Sequence, residues 1–299
     1  MSSHNTSLIS RRGLLTKSIA AAALLASSAN GAATERSSTT EQAGRSGRRR
    51  IPIGLQLYSV RDDCQKDLPG TIAAVAKMGY EGVEFAGYYD RSAKDLRKML
   101  DDNNLKCCGT HTGLDTLLGD NLPKTIEFNK ILGNKYLVAP GLPGEYNSSH
   151  QAWLNAAKLF NELAEKVKPA GMLVGYHNHS AEFKAMDGEL PWDTFFGNTS
   201  KDVIMQLDVG NAINGGVDPL PYIYRYPERA ITVHVKEFSK KNDKALIGEG
   251  DVNWKAFAAL CRAVGATEWY IIEHESYAYP PLECVQRCLK NVREMRLLY

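Results

Sequence analysis

Met172–Phe183 reads MLVGYHNHSAEF, an apolar run that ends in His177, Asn178 and His179 and is followed by Glu182. A short apolar run bounded by polar residues is typical of a buried β-strand. Ionisable side chains at the end of a buried strand cost free energy unless they are paired or bind a ligand. The stretch therefore predicts a strand that delivers polar groups to one place in the fold.

Seven further runs of the same kind follow this pattern: IPIGLQLYS, GVEF, KCCGTH, YLVAP, VIMQLD, AITVHV and WYIIEHE. Between the runs lie segments such as LPGTIAAVAKMG, whose apolar residues recur with helical spacing. Parallel strands require such crossover helices. Eight strand–helix units in residues 51–299 therefore predict an α/β fold, a single-domain (β/α)₈ TIM barrel, which is typically about 250 residues long. An open doubly wound sheet is the alternative, but no GxGxxG motif follows the first run.

The carboxyl ends of barrel strands converge on one mouth, where the functional groups of such barrels lie. Four successive strands there deliver His177, Asp208, His234 and Glu273. Imidazoles and carboxylates together form a ligand set for one divalent metal, and the set suits Mn²⁺, Zn²⁺, Co²⁺ or Mg²⁺ better than Ca²⁺. Each residue alone also fits a structural role, such as capping of the following loop by Asp208 or pairing of Glu273 with a lysine.

Five more polar residues at predicted strand ends are candidate substrate contacts. They are Gln56, Tyr58, Glu84, His111 and Lys236. Lys236 can neutralise a developing enediolate or bind a carboxylate or phosphate, and a salt bridge to Glu273 or Glu275 is its structural alternative. Glu84 is equally compatible with a solvated loop.

Several motifs give residues 51–299 a resemblance to a known family: GLQLYSVRD, GTHTGLDTL, VGYHNHSAEF, MQLDVGNAINGGVDP, HVKEFS and IGEGDVNW. The segment resembles the xylose-isomerase-like TIM barrel superfamily, in its sugar phosphate isomerase/epimerase branch. The resemblance implies one divalent metal, often manganese, at the ends of strands five to eight. Matched by position, it implies Asp208, His234 and Glu273 as three of the ligands.

The fourth ligand departs from the family pattern. Many relatives carry a glutamate on strand five where this chain has Gly175. His177 lies two residues further on the same face of the strand and is the predicted replacement. His179 and Glu182 compete for that position, and a three-ligand site completed by water is a further alternative.

The reaction implied by this resemblance is that of a metal-dependent sugar isomerase or epimerase. The metal polarises the carbonyl of a keto-sugar or polyol, a base removes the adjacent proton, and an enediolate forms; His179 and Glu182 are the predicted acid/base residues. Loss of a β-substituent would instead make the enzyme a keto-glycoside or keto-polyol lyase or dehydratase. A non-catalytic sugar-binding protein and an apurinic-site endonuclease are the remaining alternatives.

Residues 1–50 differ in composition from the rest of the chain. Residues 1–33 contain Arg11-Arg12, a short apolar stretch and small residues, which predicts a twin-arginine-type signal peptide. Residues 34–50 are polar and without apolar periodicity, which predicts a disordered linker. We therefore expect a periplasmic or secreted protein with no membrane segment once the signal is removed.

Charge and cysteine content limit the choice of partners. Residues 1–50 hold eight Lys or Arg and two Asp or Glu, which leaves 28 basic and 32 acidic residues for 51–299, a formal net charge of −4. This charge gives no support to a nucleic-acid partner, and a small carbohydrate is the expected one. The six cysteines form no CxxC pair, so buried free thiols are expected, with a bridge from Cys261 to Cys284 or Cys288 as the alternative. The oligomeric state stays open, with a dimer among the alternatives.

Overall fold

The computed structural model describes residues 50–296. Within this range there are eight β-strands, and each coincides with one of the apolar runs. They are β1 Ile53–Gln56, β2 Gly82–Ala86, β3 Lys106–His111, β4 Tyr136–Ala139, β5 Leu173–His177, β6 Val203–Gln206, β7 Thr232–Val235 and β8 Trp269–Ile272.

All the strand pairs are parallel, and the strand order is β6-β5-β4-β3-β2-β1-β8-β7. The two ends of this ladder meet through a parallel bridge between Asp208 and His234. In addition, the His234 N–H donates to the Leu207 carbonyl at 2.9 Å. The fold is therefore a nearly closed (β/α)₈ barrel, as predicted, and two of the predicted metal ligands lie at its seam.

Helices follow the strands and cover the outside of the barrel. In residues 50–296 they are α1 Arg61–Lys66, α2 Leu68–Met78, α3 Ala93–Asp102, α4 Asn121–Leu132, α5 Gly144–Asn147, α6 His150–Val167, α7 Pro191–Gly197, α8 Val209–Asn214, α9 Leu220–Arg225, α10 Trp254–Leu260 and α11 Pro281–Met295. The helix-like segment LPGTIAAVAKMG, predicted from its apolar spacing, corresponds to α2. Helix α2, for example, begins with the Asp67 side chain capping the Gly70 N–H and ends at Gly79, whose φ of 98° suits glycine.

An aromatic cluster between the sheet and helices α6 and α7 fixes strand β5. Tyr176 packs edge-on against Trp153 with ring centroids 5.6 Å apart and lies 5.3 Å from the ring of Phe195. Such pairs contribute about 0.5–1.5 kcal/mol each beyond the area they bury. Because side chains alternate across a strand, anchoring Tyr176 on the outer face directs His177 to the inner face.

Three sequence predictions concern other parts of the chain. The signal peptide at 1–33 and nearly all of the linker at 34–50 lie outside the described residues. Within the described residues, no helix is long and apolar enough to cross a membrane. All six cysteines are buried free thiols, so the structure does not contain the alternative bridge from Cys261.

Candidate metal centre at the barrel mouth

Four side chains from strands β5 to β8 meet at the mouth of the barrel. His177 ends β5, Asp208 follows β6 by two residues, His234 lies in β7 and Glu273 directly follows β8. All four are buried, and one potential ligand atom from each lies within 4.8 Å of the others. The sequence prediction that these four residues converge is therefore what the structure shows.

His234 lies between two carboxylates. Its Nδ1 is 2.5 Å from Glu273 Oε2, and its Nε2 is 2.6 Å from Glu84 Oε2. Burial alone would lower the pKa of His234, but the charges of Glu84 and Glu273 and their hydrogen bonds raise it to about 10. Burial likewise opposes ionisation of Glu273, yet Lys236 and His234 hold the pKa of that carboxyl well below its usual range.

His177 and Asp208 each carry a buried polar atom without a hydrogen-bond partner among the described residues: His177 Nδ1 and Asp208 Oδ2. Burial, together with the neighbouring His234 and His111, holds the pKa of His177 well below its ordinary value, which leaves a neutral ring with a free lone pair. Burial also raises the pKa of Asp208 to about 7, against the opposing charge of Lys236. Unpartnered buried groups of this kind call for an explanation, and a cation provides one.

The donor set fits a divalent metal. Two imidazole nitrogens and two carboxylates are ligands that Mn²⁺, Zn²⁺ and Co²⁺ accept, and the two unpartnered atoms would gain a partner. The structural role foreseen for Asp208 is also present, because its Oδ1 accepts the Asn211 N–H at 2.7 Å and caps α8. Asp208 Oδ1 caps the helix, and Asp208 Oδ2 remains available to bind a metal.

Strand five has no room for a glutamate at Gly175. A Cβ built there would lie 2.6 Å from Ile204 Cβ and 2.7 Å from the Ile204 carbonyl oxygen. Both distances are shorter than real Cβ contacts allow, and one of them is to backbone. The geometry thus favours His177, two residues on and on the same face, as the side chain that β5 contributes.

Two predicted substrate contacts lie deeper than expected. Glu84 and Gln56 are both 0% exposed, and the Gln56 amide nitrogen donates to Glu84 Oε2 at 2.7 Å. Gln206 donates to the other oxygen, Oε1, at 2.8 Å. The alternative of a solvated loop charge for Glu84 is wrong, because this carboxylate lies under the cluster and its hydrogen bonds are to protein groups.

His111 lies between these buried side chains and the open mouth of the barrel. Its Nε2 is 2.8 Å from Gln206 Oε1, and its ring stacks on that of His234 at 5.3 Å with an interplanar angle of 11°. Its side chain is 10% exposed, so it borders the space that a ligand would occupy. Together with His177 and His234 it forms a second, overlapping group of close imidazoles.

Lys236 forms an ion pair with Glu275, the second of the two partners considered for it. Its Nζ is also 4.0 Å from Asp208 Oδ2. Burial alone would lower the pKa of Lys236, but the carboxylates of Asp208 and Glu273 raise it overall. A permanent positive charge therefore lies beside the cluster.

The two predicted acid/base residues have different environments. His179 is exposed, with its ring 5.2 Å from that of His177. Glu182 is buried, and both of its oxygens are used: Oε1 accepts the Tyr176 hydroxyl at 2.6 Å and Oε2 accepts the His179 N–H at 2.9 Å. Since Tyr176 belongs to the outer aromatic cluster, Glu182 anchors the loop after β5, whereas the side chain of His179 is exposed beside His177.

The rim beside β1 is formed by Tyr58 and by a residue that the motif analysis did not single out, Arg61. Tyr58 is 42% exposed, and the Arg61 guanidinium lies 4.5 Å from the centre of its ring. Arg61 also donates from Nη1 to the Tyr277 hydroxyl at 3.0 Å. These contacts hold an arginine and an aromatic face at the mouth.

Asn178 and Gln206 are the other residues that sequence reasoning missed. Asn178 is fully buried, and its side chain pairs with both backbone groups of Asp208. The only sequence signal was position: Asn178 lies between the two histidines, and Gln206 lies two residues before Asp208. Neither signal separates a residue that supports the site from one that contacts a ligand.

The fold and the cluster together define a class of (β/α)₈ barrels with mixed imidazole and carboxylate groups at the strand ends. A sequence model of the xylose isomerase-like TIM barrel family matches residues 72–294. The chain therefore belongs to the xylose isomerase-like TIM barrel family.

Individual relatives are more distant. An inosose dehydratase of Clostridium botulinum is 23% identical over 270 residues, which cover 76% of this chain and 90% of the relative. A solved sugar phosphate isomerase/epimerase from Parabacteroides distasonis is 28% identical with a TM-score of 0.71, over 86% of this chain and 98% of that one. A probable 3-DHS dehydratase from Bacillus anthracis, 15% identical with a TM-score of 0.60 over 81% of this chain and 99% of that one, shares the fold. The family is thus one of isomerases, epimerases and dehydratases.

Proposed function

We propose that this protein is a divalent-metal-dependent enzyme that moves a proton next to the carbonyl of a keto-sugar or keto-polyol, as an isomerase or epimerase. The observation that carries the proposal is the buried cluster of His177, Asp208, His234 and Glu273, with unpartnered atoms on two of its members. These four residues would hold the metal, with Mn²⁺ favoured and Zn²⁺, Co²⁺ or Mg²⁺ as alternatives. A divalent ion bound there supplies Lewis acidity toward a carbonyl oxygen.

The chain's own residues supply the rest of the chemistry. His179, exposed beside His177, accepts the proton from the carbon next to the carbonyl. Lys236 places a positive charge where negative charge develops on the substrate oxygen. Protonation of the same carbon from its opposite face, by a donor or a water molecule on that face, gives an epimer. Return of the proton to the neighbouring carbon, with transfer of the hydroxyl proton between the two oxygens, gives an isomer.

A lyase or dehydratase is the second candidate, and the names of the relatives favour it. The first eight curated relatives are all called inosose dehydratase. The first step is the same: His179 accepts the proton, and the electron pair of the broken C–H bond then expels a hydroxyl or glycosidic oxygen from the β-carbon. Whether elimination or isomerisation occurs depends on whether the substrate carries such a leaving group on the carbon next to the acidic carbon.

The decisive experiment incubates Mn²⁺-loaded protein with a panel of keto-sugars and keto-glycosides in deuterated water. Deuterium at the carbon next to the carbonyl without loss of a substituent supports an isomerase or epimerase. Loss of the β-substituent supports the lyase. Saturable sugar binding with no deuterium incorporation and no elimination would overturn both in favour of a binding protein, or of an isomerase that shifts a hydride between carbons.

We further propose that the protein is exported before it acts and therefore uses an unphosphorylated carbohydrate. The support is the Arg11-Arg12 pair and the apolar stretch that follows it. Residues 1–50 fused to a reporter that is active only outside the cytoplasm should give signal, and replacement of both arginines by lysine should remove it. A signal that survives the replacement would contradict export by a twin-arginine route.

A further inference from the structure

Glu84 is held by three side chains that can each donate a hydrogen bond to it. Gln56 and His234 reach its Oε2 at 2.7 and 2.6 Å, and Gln206 reaches its Oε1 at 2.8 Å. All four side chains are fully buried. An ionised carboxylate accepts hydrogen bonds and cannot donate them, so the hydrogen between Glu84 and His234 belongs to His234 Nε2.

The backbone around Glu84 is shaped to hold the carboxylate in place. A Cβ at Gly109 would lie 2.3 Å from Glu84 Oε1, so only glycine leaves room for the side chain as it stands. Gln206 is in turn fixed by Thr232 Oγ1, to which its amide nitrogen donates at 3.0 Å. The carboxylate thus has one position, with His111 Nε2 as a further neighbour 3.3 Å from its Oε2.

The hydrogen bond to Glu84 determines which nitrogen of His234 can bind a cation. With Nε2–H committed to Glu84, Nδ1 is the nitrogen left for the cluster, 2.5 Å from Glu273 Oε2 and 3.8 Å from Asp208 Oδ2. A cation bound there would take the place of the proton on Nδ1. A histidine that binds a metal through one nitrogen commonly donates its other N–H to a carboxylate, which fixes the tautomer and the ring plane. The geometry around His234 matches this arrangement, with Glu84 as the carboxylate.

We propose that Glu84 is a positioning residue: it orients His234 so that Nδ1 is the nitrogen presented to a divalent cation, and it does not itself contact the cation or the sugar. The proposal rests on the proposed metal dependence. It goes further by assigning the nitrogen of His234 that binds the metal. It also assigns Glu84 a supporting role in place of the predicted substrate contact.

The test measures Mn²⁺ affinity by titration, independently of any sugar reaction, for the wild-type protein, Glu84→Gln and Glu81→Gln. In Glu84→Gln an amide NH₂ group replaces one of the two carboxylate oxygens. Because both oxygens of Glu84 accept hydrogen bonds, this NH₂ group must face another hydrogen-bond donor. We expect the Mn²⁺ Kd to rise about 10- to 100-fold, the usual range for loss of such a partner. Glu81, which precedes β2 at the opposite end of the strand and accepts the Ile53 N–H at 3.1 Å, is the matched control, and Glu81→Gln should leave the Kd unchanged.

A second measurement does not depend on how well the variant folds. In Zn²⁺-loaded wild-type protein labelled with ¹⁵N-histidine, the long-range ¹H–¹⁵N spectrum should show His234 bound through Nδ1 and protonated at Nε2. Zinc on Nε2, or an unchanged Mn²⁺ Kd in folded Glu84→Gln, would overturn the proposal. A wild-type protein that binds no divalent cation would overturn both this inference and the proposed function, whereas tight binding without sugar turnover would count against the function alone.

Discussion

Asn178 Oδ1 accepts the backbone N–H of Asp208 at 2.8 Å, and the Asn178 amide nitrogen donates to the Asp208 carbonyl at 3.1 Å. β6 has already ended at Gln206. The asparagine side chain therefore supplies the acceptor for the Asp208 N–H and a second donor for the Asp208 carbonyl, which also accepts from the Ala212 N–H at 3.1 Å. The position of one predicted metal ligand thus depends on an amide that contacts only its backbone.

Replacing Asn178 by alanine should consequently affect both stability and metal binding. The buried Asp208 N–H would lose its partner, at a cost of about 1–3 kcal/mol, whereas the Asp208 carbonyl would keep its hydrogen bond from the Ala212 N–H at 3.1 Å. The Mn²⁺ Kd should rise about tenfold because Asp208 is less well fixed. Chemical denaturation and Mn²⁺ titration measure the two effects.

Asn134→Ala is the matched control for Asn178→Ala. Asn134 is also buried, and it donates to the Tyr136 carbonyl at 2.9 Å at the start of β4, the end of the barrel away from the mouth. Its replacement should lower stability but leave the Mn²⁺ Kd unchanged. Equal changes in affinity for both variants would show that Asn178 contributes only general stability.

Strand five offers a prediction about which residue supplies its ligand. Gly175→Ala should destabilise the protein by about 1–3 kcal/mol, because the new Cβ meets Ile204 backbone. Gly141→Ala, whose Cβ would meet nothing within 4 Å, should have almost no effect. His177→Ala should raise the Mn²⁺ Kd at least tenfold, and addition of Gly175→Glu should not restore it. Recovery of binding in that double variant would show that the glutamate position remains usable.

Much of this barrel could be predicted from the sequence because its signals are local. Each apolar run coincides with a strand, and the alternation of strands and helices allows few other folds. His177, Asp208, His234 and Glu273 were predictable as a group for the same reason: the carboxyl ends of parallel strands share one mouth. Convergence follows from topology, and no knowledge of side-chain contacts is required.

The roles of Glu84 and Glu182 could not be predicted in this way. Glu84 contacts His234, which is 150 residues away in sequence. The periodicity of apolar residues does not indicate whether a carboxylate at the end of a strand faces the open mouth or is buried below the ligand cluster. Glu182 follows β5 in a loop, so its direction depends on Tyr176, which the outer aromatic cluster holds. Both assignments need the packing of distant elements.

His179 and Glu182 can be separated by experiment. His179→Gln should lower the rate of deuterium exchange into an active keto-sugar about 10²- to 10⁴-fold, the usual contribution of a positioned acid or base, with little change in stability because the side chain is exposed. Glu182→Gln should instead lower the free energy of unfolding, by about 1–3 kcal/mol, through weakened bonds to Tyr176 and the His179 N–H. Loss of exchange in Glu182→Gln with unchanged stability would instead support the original prediction of a catalytic glutamate.

The final prediction concerns how the stability of the metal-free protein depends on pH. The pKa of His234 is about 10 in the folded protein, against an ordinary value of 6.5. A group whose pKa is raised by folding stabilises the folded state fully below its unfolded pKa, and this stabilisation is lost as the pH rises toward its folded pKa. Between pH 7 and 8.5, in the presence of EDTA, protonated His234 should therefore contribute a fall of about 1.4 kcal/mol per pH unit to the free energy of unfolding.

Other buried groups also titrate in the window of pH 7 to 8.5, so the contribution of His234 is the difference between the wild-type protein and His234→Gln. Asp208, whose pKa burial raises to about 7, contributes a decrease of the same sign near pH 7. The buried thiols of Cys107 and Cys261 also have raised pKa values, about 12 in each case against an ordinary 9.0, so they begin to contribute a decrease of the same sign toward the upper end of the window. His234→Gln removes the titrating ring and should reduce this fall by about 1.4 kcal/mol per pH unit, and saturating Mn²⁺ should also reduce it because the metal takes the place of the Nδ1 proton. Stability of the metal-free wild-type protein that stays constant or rises across this window would show that His234 is not protonated between Glu84 and Glu273.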